Sequence, residues 1–103
     1  MKIRLSLLLL INLFIFSNSY SDEKFNLGKD IFLNAGNCST CHSLIDAGSV
    51  ANIGPNLNEI RPDIGRVINS VTNGAGVMPA YIGILSQDEI EAVAYYVSES
   101  SLN

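Results

Sequence analysis

The stretch NCSTCHS, residues 37–43, holds both cysteines of the chain and its only histidine. Cys38, Cys41 and His42 lie within five consecutive positions, so one local structure must bring the three side chains together. Three kinds of site use such a cluster: a redox dithiol, a metal site, and an anchor for a covalently bound haem. The rest of the chain has to decide between them.

The Cys-x-x-Cys-His spacing favours the haem anchor. Two thiols three residues apart can add to two vinyl groups on one edge of a porphyrin, and the next imidazole can bind the iron. A thioredoxin-like dithiol opens a helix after a strand, and no strand is predicted before Asn37. A zinc site needs four ligands, and the sequence has no second cysteine and histidine cluster. An exported dithiol protein, cycling between thiols and a disulfide, stays open as an alternative.

Met78 is the methionine that remains once the N-terminal segment is lost. A lone methionine is commonly core filler. Here, however, an iron bound by His42 lacks a second axial partner, the chain has no other histidine, and a thioether is a known haem ligand. The sequence therefore predicts His42 and Met78 as the metal ligands. The alternative is a haem enzyme or gas sensor with an open sixth position, although no distal histidine or arginine placed for peroxide cleavage is evident.

The N-terminus has the pattern of a secretory signal peptide. Two basic residues precede an apolar run from Leu5 to Phe16, and small polar residues follow. The run is shorter than the roughly 20 apolar residues that a spanning helix needs. We therefore expect residues 1–21 to be a signal peptide, with the mature chain beginning between Tyr20 and Asp22. Stable membrane insertion after cleavage is not expected.

The mature chain of residues 22–103 has one small domain of 82 residues, whose core would be marginal without a disulfide, a metal or a large apolar cofactor. It contains four Lys and Arg residues and ten Asp and Glu residues, a formal charge of −6. This acidity disfavours nucleic acid as a partner and favours redox proteins with a basic docking surface. We expect a monomer in the periplasm or an equivalent exported compartment, such as the thylakoid lumen.

Hydrophobic periodicity and capping signals predict three to four helices joined by loops, and no alternating strand pattern is present. The predicted all-α elements are a helix over residues 24–35 ended by Gly36, a loop over 43–58, a short turn at 57–60, a helix capped by Asp63 and ended at Asn73–Gly74, and a last helix opened by the capping box Ser86–Glu89.

The segments CSTCH, GPNL (residues 54–57) and GVMPAY (residues 76–81), in this order and spacing, resemble the class I c-type cytochromes. The likeness covers the whole mature chain, because Gly28 and Phe32 before the haem motif and LSQDEIEAVAYYV near the end resemble the terminal helices of that family. The resemblance implies a small cytochrome c fold, with three to four helices wrapped round one covalently bound haem c. It also implies that the Pro55 carbonyl accepts the Nδ1 proton of His42.

Further roles follow from the same resemblance. Gly28 would let the first and last helices cross closely against Tyr96 or Tyr95, Arg61 would reach a haem propionate, and Tyr81 would lie against the haem edge. The implied function is a one-electron carrier between redox proteins, not an enzyme. The alternative is the electron-accepting cytochrome subunit of a larger exported dehydrogenase. The sequence leaves open whether the role is respiratory or photosynthetic.

Overall fold

The computed structural model describes residues 19–103, so the apolar run of the predicted signal peptide lies outside the described residues. The predicted all-α class is confirmed for the part that is described. Its helices are α1 (19–33), α2 (Leu57–Ile60), α3 (Ile64–Asn73) and α4 (Gln87–Ser100). Across these residues, no helix combines the length and the apolar character needed to cross a membrane.

Helix α1 differs from its prediction at both ends. It is already helical at residue 19 and ends at residue 33, two positions earlier than predicted. The end is closed by a wide turn in which the Gly36 N–H donates to the Ile31 carbonyl at 2.7 Å. Asn37 then takes the left-handed conformation, with φ of 52°, and starts the turn that carries the cysteines.

The predicted loop over residues 43–58 contains a small hairpin that the sequence did not indicate. Strands β1 (Ser43–Leu44) and β2 (Ser49–Val50) pair antiparallel around a 3-10 turn at Ile45–Ala47. Gly48 closes that turn with φ of 66°, a conformation that suits glycine. Strands of two residues are too short to show an alternating pattern, which is why periodicity missed them.

The caps of α3 and α4 are formed as predicted. The Arg66 N–H donates to Asp63 Oδ1 at 2.8 Å, at the start of α3. In α4, the Glu89 N–H donates to Ser86 Oγ at 3.1 Å and the Ser86 N–H donates to Glu89 Oε1 at 2.9 Å, a complete capping box. These local bonds fix where the two helices begin, and α3 packs along α4.

Helices α1 and α4 cross at Gly28, as the family resemblance implies. A Cβ atom at Gly28 would overlap the Ala92 carbonyl oxygen and lie 2.6 Å from Tyr96 Cβ, so the crossing has no room for a side chain. Tyr96 is fully buried and packs edge-on against Phe25 and Phe32, with ring centroids 4.9 and 5.7 Å away. The crossing thus involves Tyr96, not Tyr95.

The buried Tyr96 also connects the crossing to the hairpin. Its hydroxyl donates to Asp46 Oδ2 at 2.7 Å, and the same oxygen lies 3.2 Å from Lys29 Nζ. Burial, reinforced by the Asp46 carboxylate, raises the pKa of Tyr96. The phenol therefore stays protonated and remains a donor to Asp46.

The Gly28 crossing yields a stability prediction. We expect Gly28→Ala to lower the free energy of unfolding by about 1–3 kcal/mol, because the added methyl forces two packed helices apart. Denaturant unfolding of the haem-loaded protein measures this change. Gly65→Ala in α3 is the matched control, since its nearest neighbouring atom would be 3.5 Å away, and we expect no loss of stability. Equal stability of the two variants would contradict the tight crossing.

Candidate haem site

A cleft opens between the cysteine segment and the loop that carries Met78. It consists of two adjoining cavities of about 170 and 160 Å³, and both are lined by Cys38, His42, Pro55 and Met78. Cys41 lines only the second of these two cavities. All five residues predicted from the sequence to hold the haem therefore lie around one cleft.

The cysteine segment forms a single tight turn. Residues Cys38–Thr40 are a 3-10 helix, and the Cys38 carbonyl accepts from the N–H of Cys41 at 3.1 Å and of His42 at 2.9 Å. This local closure brings the two cysteines and the histidine to the same cavity. The spacing predicted that proximity, because Cys38 and Cys41 are one turn of a 3-10 helix apart and His42 is the next residue.

The imidazole of His42 is fixed by the segment that follows the hairpin. Nδ1 lies 2.8 Å from the Pro55 carbonyl oxygen, which can only accept, so Nδ1 carries the proton. Nε2 is then left with a free lone pair, the form in which histidine binds a metal. The bond orients the ring and makes it a stronger electron donor.

The backbone of Gly54 packs directly against the His42 imidazole ring. A Cβ atom there would lie 2.6 Å from Cε1 and 2.9 Å from Nδ1 of His42, so only glycine lets the backbone approach the imidazole this closely. The Gly54 N–H also donates to the Cys41 carbonyl at 2.7 Å. Gly54 was visible in the sequence as part of GPNL, but nothing in that pattern indicated its contact with His42.

Met78 is presented by a short turn. Ala75 and Met78 exchange backbone hydrogen bonds of 2.9 and 3.1 Å, and Gly76 between them has φ of 58°. Gly74, with φ of 77°, lies so close to this turn that a Cβ atom would be 2.7 Å from the Met78 carbonyl oxygen. The turn therefore sits directly against the end of α3 and carries the half-buried Met78 side chain to the cleft.

The walls of the larger cavity are mostly apolar and come from all four helices. The lining side chains include Phe32 of α1, Leu57 and Ile60 of α2, Val67 and Val71 of α3, and Val93 and Val97 of α4. A large apolar group with one metal atom, reached by an imidazole nitrogen and a thioether sulfur, fits these walls and this donor set.

The basic residue that lines the cleft is Arg66, not Arg61. Arg61 takes the left-handed conformation at the end of α2, with φ of 45°, and its guanidinium donates to the Leu102 carbonyl at 2.9 Å. Arg61 lines neither cavity of the cleft, so nothing in this structure supports the propionate contact that the resemblance implied for it. The side chain instead attaches the C-terminus to α2.

Two alternatives for the cysteine cluster are disfavoured by the surroundings. Burial raises the pKa of Cys38 to about 11, so its thiol is protonated at neutral pH, whereas a reactive dithiol needs a lowered pKa. Within residues 19–103, no three His, Cys, Asp or Glu side chains are grouped so as to hold a metal ion, which disfavours zinc.

Comparison with known proteins agrees with the geometry. A family model described as cytochrome C oxidase, cbb3-type, subunit III matches residues 23–97. Cytochrome c6 of Euglena gracilis is 44% identical over 78 residues, covering 68% of this chain and 85% of the relative. Cytochrome c6 of Microcystis aeruginosa is 34% identical over 74 residues, covering 68% and 89%. The crystal structure of the c-type cytochrome SorU from Sinorhizobium meliloti is 50% identical with a TM-score of 0.74, covering 78% of this chain and 93% of that one.

Proposed function

This chain belongs to the class I c-type cytochromes, and from that premise we propose that it is an exported carrier of single electrons between redox proteins. Like its relatives, it is a small cytochrome that transfers electrons and is not an enzyme, and it carries one covalently bound haem c. The observation that carries the proposal is the juxtaposition of an oriented His42 and Met78 across one apolar cleft.

Each site residue has a distinct role in this proposal. Cys38 and Cys41 would hold the haem through thioether bonds, and His42 and Met78 would bind its iron. Pro55 holds the His42 proton on Nδ1 and so keeps Nε2 available to the metal. The bound haem supplies an iron atom that changes its charge by one electron. Because His42 and Met78 would both bind the iron, they would leave no free position for a substrate.

The apolar walls serve the same function. Val67, Val71, Val93 and Val97 exclude water from the inner part of the cleft. Excluding water limits how far the surroundings must reorganise when the charge in the site changes. The Met78 thioether would also raise the reduction potential of the iron, because it is a weak donor to ferric iron.

The predicted signal peptide supports an exported location, the periplasm or the thylakoid lumen, with residues 22–103 as the mature domain. The apolar run that defines this signal lies at residues 5–16.

The docking surface that we propose is the opening of the second cavity. Ile53 and Val77 at this opening are 66% and 88% exposed, and no charged side chain lines the cavity. Residues 67–87, which include the Met78 turn, contain no charged residue at all. The net charge of −6 therefore lies outside the contact, where it attracts a partner with basic residues while the contact itself is apolar.

A charge placed in this opening tests the docking proposal. We expect Val77→Glu to slow electron transfer with a soluble redox protein of net positive charge by about tenfold, because the contact would bury an unpaired carboxylate. Stopped-flow mixing at several salt concentrations measures the rate. The control is Val50→Glu, since Val50 is 90% exposed and lines neither cavity, yet the variant has the same added charge. Equal rates for the two variants would exclude the opening as the docking surface.

The haem assignment is tested by mass and by the visible spectrum of protein exported to a bacterial periplasm. We expect a mature chain that begins between Tyr20 and Asp22 with the added mass of one haem. The oxidised protein should show the weak red band that thioether ligation gives ferric haem, and Met78→Ala should abolish this band while keeping the haem. A haem-loaded wild-type protein without the band would point to an open-site sensor or enzyme, and free thiols would point to a dithiol protein.

The second candidate is the electron-accepting cytochrome subunit of a larger exported dehydrogenase. The description of the matched family names a subunit of a larger redox enzyme, which supports a role as a subunit in general. A free carrier purifies as a monomer, whereas a subunit purifies together with a larger partner.

A further inference from the structure

Tyr81 connects the two loops that flank the cleft. We call residues 74–85 the methionine loop and residues 36–42 the attachment loop. The Tyr81 N–H donates to the Val71 carbonyl at 2.8 Å, which fixes the methionine loop to α3. The Tyr81 hydroxyl donates to the Gly36 carbonyl, 45 residues away, at the start of the attachment loop. One residue thus holds the methionine loop from two directions.

The acceptor of the Tyr81 hydroxyl is itself firmly placed. Gly36 is buried, and its N–H donates to the Ile31 carbonyl at 2.7 Å. A Cβ atom at Gly36 would lie 3.0 Å from that carbonyl oxygen and 3.1 Å from Cys38 Sγ. The Gly36 carbonyl therefore belongs to the packed end of α1, beside the first cysteine, and gives Tyr81 a fixed point of attachment.

The hydrogen bond from Tyr81 to Gly36 differs from the other hydrogen bonds of the methionine loop in what it connects. Among residues 19–103, it is the one hydrogen bond that joins the methionine loop to the attachment loop. The other hydrogen bonds of the methionine loop stay within it or go to α3. A movement of this loop away from the cleft would consequently break the Tyr81 bond while leaving the turn around Met78 intact.

We infer that the Tyr81 hydroxyl is a positioning group that keeps the methionine loop closed, so that Met78 is held over the cleft. This inference rests on the proposed function, because it takes Met78 to be the axial ligand. Without the hydroxyl, the loop opens more often, and in the open state Met78 is withdrawn. The size of the effect is set by the free energy that one partly buried hydrogen bond contributes.

Competition by an added ligand measures how often the loop is open. Free imidazole can take the position of Met78 only when the loop is open, so its apparent affinity is proportional to the open fraction. Removing a neutral hydrogen bond raises that fraction about fivefold. We therefore expect imidazole to bind haem-loaded, oxidised Tyr81→Phe about fivefold more tightly than wild type, with a weaker thioether band at the same temperature.

Tyr96→Phe is the matched control. It also removes a phenol hydroxyl from a hydrogen bond, the one to Asp46, but this bond joins the hairpin to α4, and Tyr96 lines neither cavity of the cleft. We expect it to lower the free energy of unfolding while changing the imidazole affinity by less than about twofold.

The outcomes separate this inference from the proposed function. An unchanged imidazole affinity in Tyr81→Phe would overturn the inference, and so would an equal increase in Tyr96→Phe, because the effect would then be general loosening. Wild-type protein that carries haem but lacks the thioether band would overturn Met78 ligation itself, and the inference with it. A selective fivefold increase in Tyr81→Phe, with the band present in wild type, would support both.

Discussion

The constraint on which the rest of the structure depends is the apolar cleft itself. All four helices direct side chains into it, among them Phe32, Leu57, Val71 and Val97. In a domain of this size, a cleft of this kind leaves the hydrophobic core incomplete until a large apolar group fills it. The haem is therefore both the redox centre and the missing part of the core. Folding of the domain therefore depends on attachment of the haem, because the same group fills the cleft between the helices.

His42 and Met78, the two side chains proposed to bind the iron, are held by local backbone structure more than by the helices. His42 follows the 3-10 turn Cys38–Thr40 and is oriented by Pro55, while Met78 closes a turn in which it exchanges backbone hydrogen bonds with Ala75. Glycines occur where these segments approach other atoms too closely for a side chain, as at Gly54 against the imidazole and at Gly74 against the methionine turn. The helices form the apolar walls of the cleft, and the loops carry the cysteine, histidine and methionine side chains that line it.

The sequence was most informative where the determining interactions are local. Three such features were predicted: the turn that carries Cys-x-x-Cys-His, the capping box of Ser86 and the Asp63 cap. Each depends on residues within five positions of one another, and each is present in the structure. The turn from Gly36 back to Ile31 that ends α1 is also local, but a glycine signal marks only that a helix stops, so the last helical residue was placed two positions too late.

Interactions between distant parts of the chain could not be read from the pattern. Three features depend on the folded arrangement: the contact of Gly54 with His42, the hydrogen bond of Tyr81 to Gly36, and the position of Arg66, in place of Arg61, beside the cleft. The two strands of the hairpin, of two residues each, pair across five and seven positions around a left-handed Gly48, and they are too short to show a period of their own.

The central claim, that the haem completes the core, is tested most directly by far-ultraviolet circular dichroism of the double variant Cys38→Ala, Cys41→Ala during thermal unfolding. Both substitutions replace partly exposed side chains by smaller ones, so they remove the anchors with little direct effect on helix packing. We expect the haem-free double variant to have lost most of its helical signal and to show no cooperative transition. A haem-free protein with the helical signal of wild type and a sharp cooperative transition would contradict it.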